Sequence, residues 1–147
     1  MEKLEIPVQR MSESTVLPKY AHDGDAGVDL YANADLTIQP GERALVPTGL
    51  KMAIPRGYEG QVRPKSGLAL KHGLTVLNTP GTVDAPYRGE VGVIVINHDP
   101  RTAYEVKKGD KIAQMVFTSV EYAVFSEVPE LEATSRGAGG YGSTGKR

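Results

Sequence analysis

Residues 50–63 read Leu50-Lys51-Met52-Ala53-Ile54, then Pro55-Arg56-Gly57-Tyr58-Glu59, then Gly60-Gln61-Val62-Arg63. In the first stretch the large apolar side chains fall two apart, the period of a strand with one face buried. Pro-Arg-Gly is turn chemistry. The arrangement recurs in both directions along the chain. Strands are predicted at Leu4–Val8, Val28–Ala32, Ala44–Val46, Leu50–Ile54, Gly60–Arg63, Leu74–Leu77, Val91–Asn97, Ala103–Val106, Ile112–Val120 and Val124–Val128. Further turns fall at Gln39-Pro40-Gly41 and Lys108-Gly109-Asp110. The 17 glycines and 10 prolines are spread along the sequence and separate short β-branched segments. That is the punctuation of an all-β sandwich or jelly roll. One short helix is predicted at Ser66–His72, with Ser66 as N-cap, Leu, Ala and Lys as helix formers, and Gly73 as the C-terminal stop.

With 147 residues the chain fits one domain, and folding at this size buries roughly 68–70% of the unfolded surface, enough for a true core. Tryptophan is absent and Phe occurs 2 times, so that core is mostly Val, Ile and Leu. The 17 basic and 18 acidic residues leave a net charge of −1. No net positive field exists to hold nucleic acid, so stable nucleic-acid binding is not expected. The absence of cysteine excludes a disulfide scaffold, a Cys-ligated zinc site and a cysteine nucleophile. No apolar run is long enough to span a membrane, and Met1–Arg10 carries two Glu and no apolar leader segment. A soluble cytoplasmic protein without membrane partners is expected.

Two segments stand apart. In Val91–Ile96 the apolar residues do not alternate with polar ones. Such a strand is covered on both sides, by its own chain or by another subunit. Residues 135–147 hold five glycines and only Tyr141 as a large side chain. Ordering this tail costs about 1–2 kcal/mol per residue in backbone entropy, so it is expected to be mobile until something binds it. The predicted division is a β domain over residues 1–134 and a Gly-rich lid over residues 135–147.

Several motif matches fail on context. Gly137 to Gly142 fits GxGxxG, but lacks the strand before and the helix after that a dinucleotide fold requires. Gly140 to Lys146 fits GxxxxGK, but Arg147 stands where the Mg²⁺-binding Ser or Thr belongs. Asp23, Asp25 and Asp29 resemble an EF-hand opening, but Gly27 and Ala34 occupy ligand positions. His22, His72 and His98 are too scattered for a metal site.

The segments that carry chemistry are different ones. Arg63-Pro64-Lys65-Ser66-Gly67 opens the predicted helix with a cation, a hydroxyl and a glycine, a small cradle for phosphate. Arg136 with Ser143 and Thr144 makes a second phosphate clamp on the tail. Asn78 through Glu90 is a turn-rich stretch holding an amide, a carboxylate and an aromatic ring.

Five ordered blocks resemble the homotrimeric deoxyuridine triphosphatases: Ala26-Gly27-Val28-Asp29-Leu30-Tyr31-Ala32; Arg63 to Ala69; Asn78 to Glu90; Gly109-Asp110-Lys111-Ile112-Ala113-Gln114; and Arg136 to Gly145. The resemblance implies an all-β jelly roll with one short helix, three subunits, and active sites shared among them, the tail of one chain closing over a pocket made by the other two. It implies hydrolysis of dUTP to dUMP and pyrophosphate with Mg²⁺ on the triphosphate, a reaction that keeps uracil out of DNA and supplies dUMP for dTMP synthesis. Asp84 would activate the water that attacks the α-phosphorus, and Gln114 would bind near that water. Asp29 would hold the Mg²⁺ through water. Lys65, Ser66 and Gly67 would contact phosphates, and Arg136, Ser143 and Thr144 would hold the γ-phosphate. The resemblance implies that Asn78 and Gly81 would belong to the uracil hairpin, that Tyr87 would lie under the sugar and exclude a 2′-hydroxyl, and that Tyr141, beside Gly142, would stack on the uracil. Charge neutralisation and positioning would carry the rate.

Two positions depart from the family pattern: Lys65 stands where Arg is usual, losing a bidentate fork, and Tyr141 where Phe is usual. A related fold belongs to dCTP deaminases, which need a Glu beyond the hairpin. Aligning on Asp84 and Asn97 puts Ile94 there, and an aliphatic side chain shuttles no proton. A non-catalytic β-sandwich binding module is the other alternative, since fold alone does not specify function.

Overall fold

The computed structural model describes residues 1–147. Eleven strands and one helix follow in order: β1 (Val8–Arg10), β2 (Val28–Tyr31), β3 (Leu36–Ile38), β4 (Arg43–Pro47), β5 (Leu50–Met52), β6 (Tyr58–Arg63), α1 (Ser66–His72), β7 (Leu74–Val76), β8 (Gly81–Val83), β9 (Gly92–Asn97), β10 (Tyr104–Val106) and β11 (Lys111–Ser119). A four-stranded sheet in the order β2-β11-β6-β8 and a three-stranded sheet β4-β9-β7 form the body, with ribbons β1-β5 and β10-β3 beside them. All pairings between strands are antiparallel. This is the all-β, jelly-roll-like fold expected from the spacing of turns.

Period-two patterning explains the core. In β9 Val93, Val95 and Asn97 are buried while Gly92, Ile94 and Ile96 are half-buried. Val93 and Val95 join Val28, Leu30, Val62 and Met115 from the other sheet in one continuous core. Inside the single chain, β9 is therefore fully covered on one face only. Leu45 of β4, directly opposite Ile94, is 67% exposed on that outer face. Asn97 is wholly buried, and its amide donates to the carbonyls of Ile38 (3.0 Å) and Thr102 (2.9 Å), so its polarity is satisfied.

Differences from expectation have local causes. The first strand forms at Val8–Arg10 rather than Leu4–Val8, because Pro7 supplies no N–H for a ladder. Strands β3 and β8 were not predicted; each spans three residues, too short to show a period. Val124–Val128 forms no strand, having no partner strand in its own chain, and the whole of it is exposed. Helix α1 falls where predicted, but its N-cap is Lys65, with φ −101° and ψ 129°, and Ser66 is the first helical residue. Gly73 ends it at φ 67°, its N–H returning to the carbonyls of Ala69 and Leu68. No helix is long and apolar enough to cross a membrane.

Candidate active site

Three adjacent strands bring three blocks of sequence into one row. Gln114 of β11 lies opposite Asp29 of β2 on one side and Arg63 of β6 on the other. Directly paired residues of antiparallel strands share a face, here the face away from the core residues Leu30 and Met115. Asp29 is 4% exposed yet charged. Lys65 makes an ion pair with its Oδ1, and Lys111 lies 3.3 Å from its Oδ2. Burial alone pushes the Asp29 carboxyl upward, but the two ammonium groups outweigh it and hold the pKa below the usual carboxylate value. The Gln114 amide nitrogen donates to the Pro64 carbonyl at 3.0 Å, which turns its oxygen toward Gly27.

An open cavity of about 320 Å³ lies over this row, lined by Asp25, Gly27, Asp29, Lys65 and Gln114 among others. Helix α1 begins at its edge, since Lys65 is both a lining residue and the N-cap. The Lys65 side chain turns to Asp29, and the helix has no side-chain cap hydrogen bond. Ser66 and Gly67 are exposed, and nothing lies within 4 Å of where a Gly67 Cβ would be. A ligand therefore has close access to this backbone.

The hairpin residues sit elsewhere on the chain. Strand β8 pairs with β6, Gly81 opposite Val62. A second cavity of about 60 Å³ is lined by Asn78, Gly81, Val83, Val76 and Ile94 among others. The Asn78 amide lies 3.4 Å from where a Gly81 Cβ would be. Asp84 follows β8 and is exposed; its carbonyl accepts the Tyr87 N–H in a turn at 3.0 Å. The Tyr87 hydroxyl donates to the Glu90 carbonyl at 2.9 Å. Arg88 staples the same loop through the carbonyls of Ala85 (2.6 Å) and Tyr87 (3.0 Å).

The tail stands apart from both cavities. Arg136, Gly142, Ser143 and Thr144 are exposed, and Tyr141 is fully so. Arg136 donates to Gly139 and the Ser143 N–H to Gly140, bonds that stay within the tail. One chain thus assembles Asp29, Lys65, Ser66, Gly67 and Gln114, keeps Asn78 and Gly81 in a separate cavity, and leaves the tail residues in contact with neither. Lys111 and Gly27 also belong to the site. Both stand in the quoted blocks, but only the register of β11 and β2 reveals their placement.

No group of three His, Asp or Glu side chains gathers as a metal cage. The carboxylates at the larger cavity are Asp25 and Asp29, and Asp29 already holds two lysines. This donor set does not fit a resident bare ion. It fits Mg²⁺ that arrives with phosphate and keeps several waters, as that ion does.

The fold is that of an all-β, jelly-roll-like domain, and its larger cleft sets Lys65 beside the carboxylates of Asp25 and Asp29. A family model described as dUTPase matches residues 13–145. The chain is 55% identical over 140 residues to a deoxyuridine 5′-triphosphate nucleotidohydrolase of Nocardia farcinica, covering 95% of this chain and 85% of that one. A Clostridium tetani protein of the same name is 50% identical, covering 99% and 100%. Among solved structures, a Staphylococcus bacteriophage 80alpha dUTPase with dUpNHpp superposes with a TM-score of 0.88 at 26% identity, covering 96% and 98% of the two chains. A dUTPase from phage phi11 of S. aureus, described with a structural Mg(II) ion, gives 0.81 at 26% identity, covering 88% and 99%. The chain belongs to the dUTPase family.

Proposed function

We propose that this protein hydrolyses dUTP to dUMP and pyrophosphate, acting in the cytoplasm to keep uracil out of DNA and supply dUMP for dTMP synthesis. The observation that carries the reading is the Asp29–Gln114 row beside Lys65 and the exposed start of α1, in a chain of this family. Lys65, Ser66 and Gly67 receive the phosphates, and Gln114 offers its amide oxygen beside them. Asp84 orients the attacking water and takes its proton as the water oxygen bonds to the α-phosphorus and the bond to the β-phosphate breaks, releasing pyrophosphate. Asn78 and Gly81 hold uracil, and Tyr87 packs under the sugar. Cytosine presents donors where uracil presents acceptors and leaves buried groups unpaired.

Asp29 would hold Mg²⁺ through its water shell, and the ion would supply charge neutralisation to the triphosphate. Little covalent chemistry falls to the protein, so positioning and charge neutralisation carry the rate.

A homotrimer with shared active sites completes the reading. Tyr122, Val124, Phe125 and Leu131 are 93%, 86%, 93% and 83% exposed in the single chain. Large apolar side chains left in water over one segment mark an interface. This arm is the last part of the β domain, residues 1–134, and leads into the lid, residues 135–147. It carries Arg136, Tyr141, Gly142, Ser143 and Thr144 away from their own chain's cavities, toward those of a neighbour. Light scattering tests the assembly, and a monomer contradicts it. The activity is tested by pyrophosphate release from dUTP, dTTP, dCTP and UTP with Mg²⁺. Release from dUTP alone is expected; dUTP binding without release leaves a binding module instead.

A further inference from the structure

Strand β11 leaves regular pairing with β2 at one place. Gln114 faces Asp29 and Ala113 faces Leu30, but Lys111, not Ile112, faces Tyr31. Ile112 is the extra residue of a β-bulge, a device that re-aims side chains. An unbroken ladder would set Ile112 opposite Tyr31 and Lys111 opposite Ala32, a core residue 2% exposed. The bulge buries Ile112 and Ala113 together, at 5% and 0% exposure, and returns Lys111 to the face of Asp29. The flank is pinned by the Ala32 N–H donating to Asp110 and the Gly109 N–H to Ala32, both at 2.8 Å.

The two lysines divide the carboxylate, Lys65 on Oδ1 and Lys111 on Oδ2. One ammonium is enough to neutralise Asp29. The Lys111 side chain is 50% exposed and adds little to a carboxylate that Lys65 already neutralises, so stability alone does not account for the second lysine. Removing the only partner of a buried charge is far more damaging. The arrangement makes sense if one lysine has to leave.

We propose that Lys111 is a positioning residue for the reaction: it keeps the Asp29 carboxylate aimed and compensated when Lys65 moves from it to the incoming phosphates. The inference rests on the dUTP reading above. Lys111 touches neither substrate nor the reacting atoms in this role; it acts through Asp29.

The test compares wild type, Lys111→Met and Lys111→Arg as full chains. The readouts are kcat and KM for dUTP, and the Kd of dUpNHpp with and without Mg²⁺. Lys111→Met is expected to lower kcat and weaken Mg²⁺-dependent dUpNHpp binding by about tenfold or more, the usual cost of losing an outer-shell partner. Metal-free binding is expected to weaken less, because there only the release of Lys65 to the phosphates is impaired and not the Mg²⁺ water shell that Asp29 would hold. Lys111→Arg restores both values, since a cation at that reach is all the role needs. Lys111→Gln replaces the Met variant if the latter melts early. Wild-type kcat and Mg²⁺-dependent affinity in Lys111→Met overturn the inference, as does an Arg variant as impaired as Met, or an equal loss with and without Mg²⁺. A wild-type chain that releases no pyrophosphate from dUTP sinks the underlying reading instead, and the inference falls with it.

Discussion

Gly27 and Gln114 compete for one small volume: a methyl on Gly27 would lie 2.1 Å from the Gln114 side-chain oxygen. The atom in the way is the end of a flexible side chain, so the fold can yield by moving the amide. Gly27→Ala is therefore expected to cost little in melting temperature and much in turnover. Displacing an aligned group by about 1 Å costs on the order of a hundredfold in rate. Pyrophosphate release measures it. A Gly27→Ala enzyme with wild-type kcat would show that Gln114 does not need its present place.

Asp84 offers the converse case. It is exposed after β8 and only its main chain makes hydrogen bonds. Asp84→Asn keeps the shape and should shift stability by no more than about 0.5 kcal/mol. On the proposal that Asp84 is the general base, kcat should fall by roughly 10²–10⁴, while the Kd for dUpNHpp stays within severalfold. Parallel loss of binding and turnover would place Asp84 in substrate binding rather than proton transfer.

Part of this site was legible before any coordinates. Alternation locates most strands, and the helix falls at Ser66–His72 as its helix formers and Gly73 imply, with Lys65 as cap. What escaped was register. Whether Lys111 turns to the face of Asp29 depends on a single extra residue at Ile112, and a bulge leaves no period in a sequence. The cap lies one residue earlier than the sequence suggests because the backbone stays extended at Lys65 and turns helical at Ser66, whose hydroxyl caps nothing. The Val124–Val128 pattern is strand-like but needs a partner the chain does not contain. Short-range patterning cannot report whether such a partner exists.

The loop behind the helix gives a pH dependence. The Asp99 carboxylate accepts the Arg101 and Thr102 N–H groups at 2.9 and 2.7 Å, which hold its pKa below the usual value. Its backbone also packs at the helix end, where a Gly73 Cβ would come 2.9 Å from the Asp99 nitrogen. A depressed folded-state value means stabilisation fully present above the unfolded carboxylate value of about 3.9, and lost as pH falls through the folded value. The gap in melting temperature between wild type and Asp99→Ala should hold steady from neutral pH to about 5 and narrow below about 4. A gap unchanged at pH 3 would refute the charge-based account.

The segment beyond β11 is expected to split into two functions that one pair of variants separates. Phe125 lies in the arm and is 93% exposed; Tyr141 lies in the tail and is fully exposed. If the arm seals the assembly, Phe125→Glu puts a charge into a dry interface, and the trimer should fall to smaller species by light scattering, with turnover lost because each site needs its neighbours. If the tail is only a lid, truncation after Ser135 leaves the trimer mass intact and still cuts turnover heavily. Tyr141→Ala isolates the stacking share, a loss on the order of 1–3 kcal/mol in nucleotide binding. A truncated enzyme with unimpaired kcat would remove the lid from the mechanism while leaving the arm, and a Phe125→Glu trimer of full mass would do the reverse.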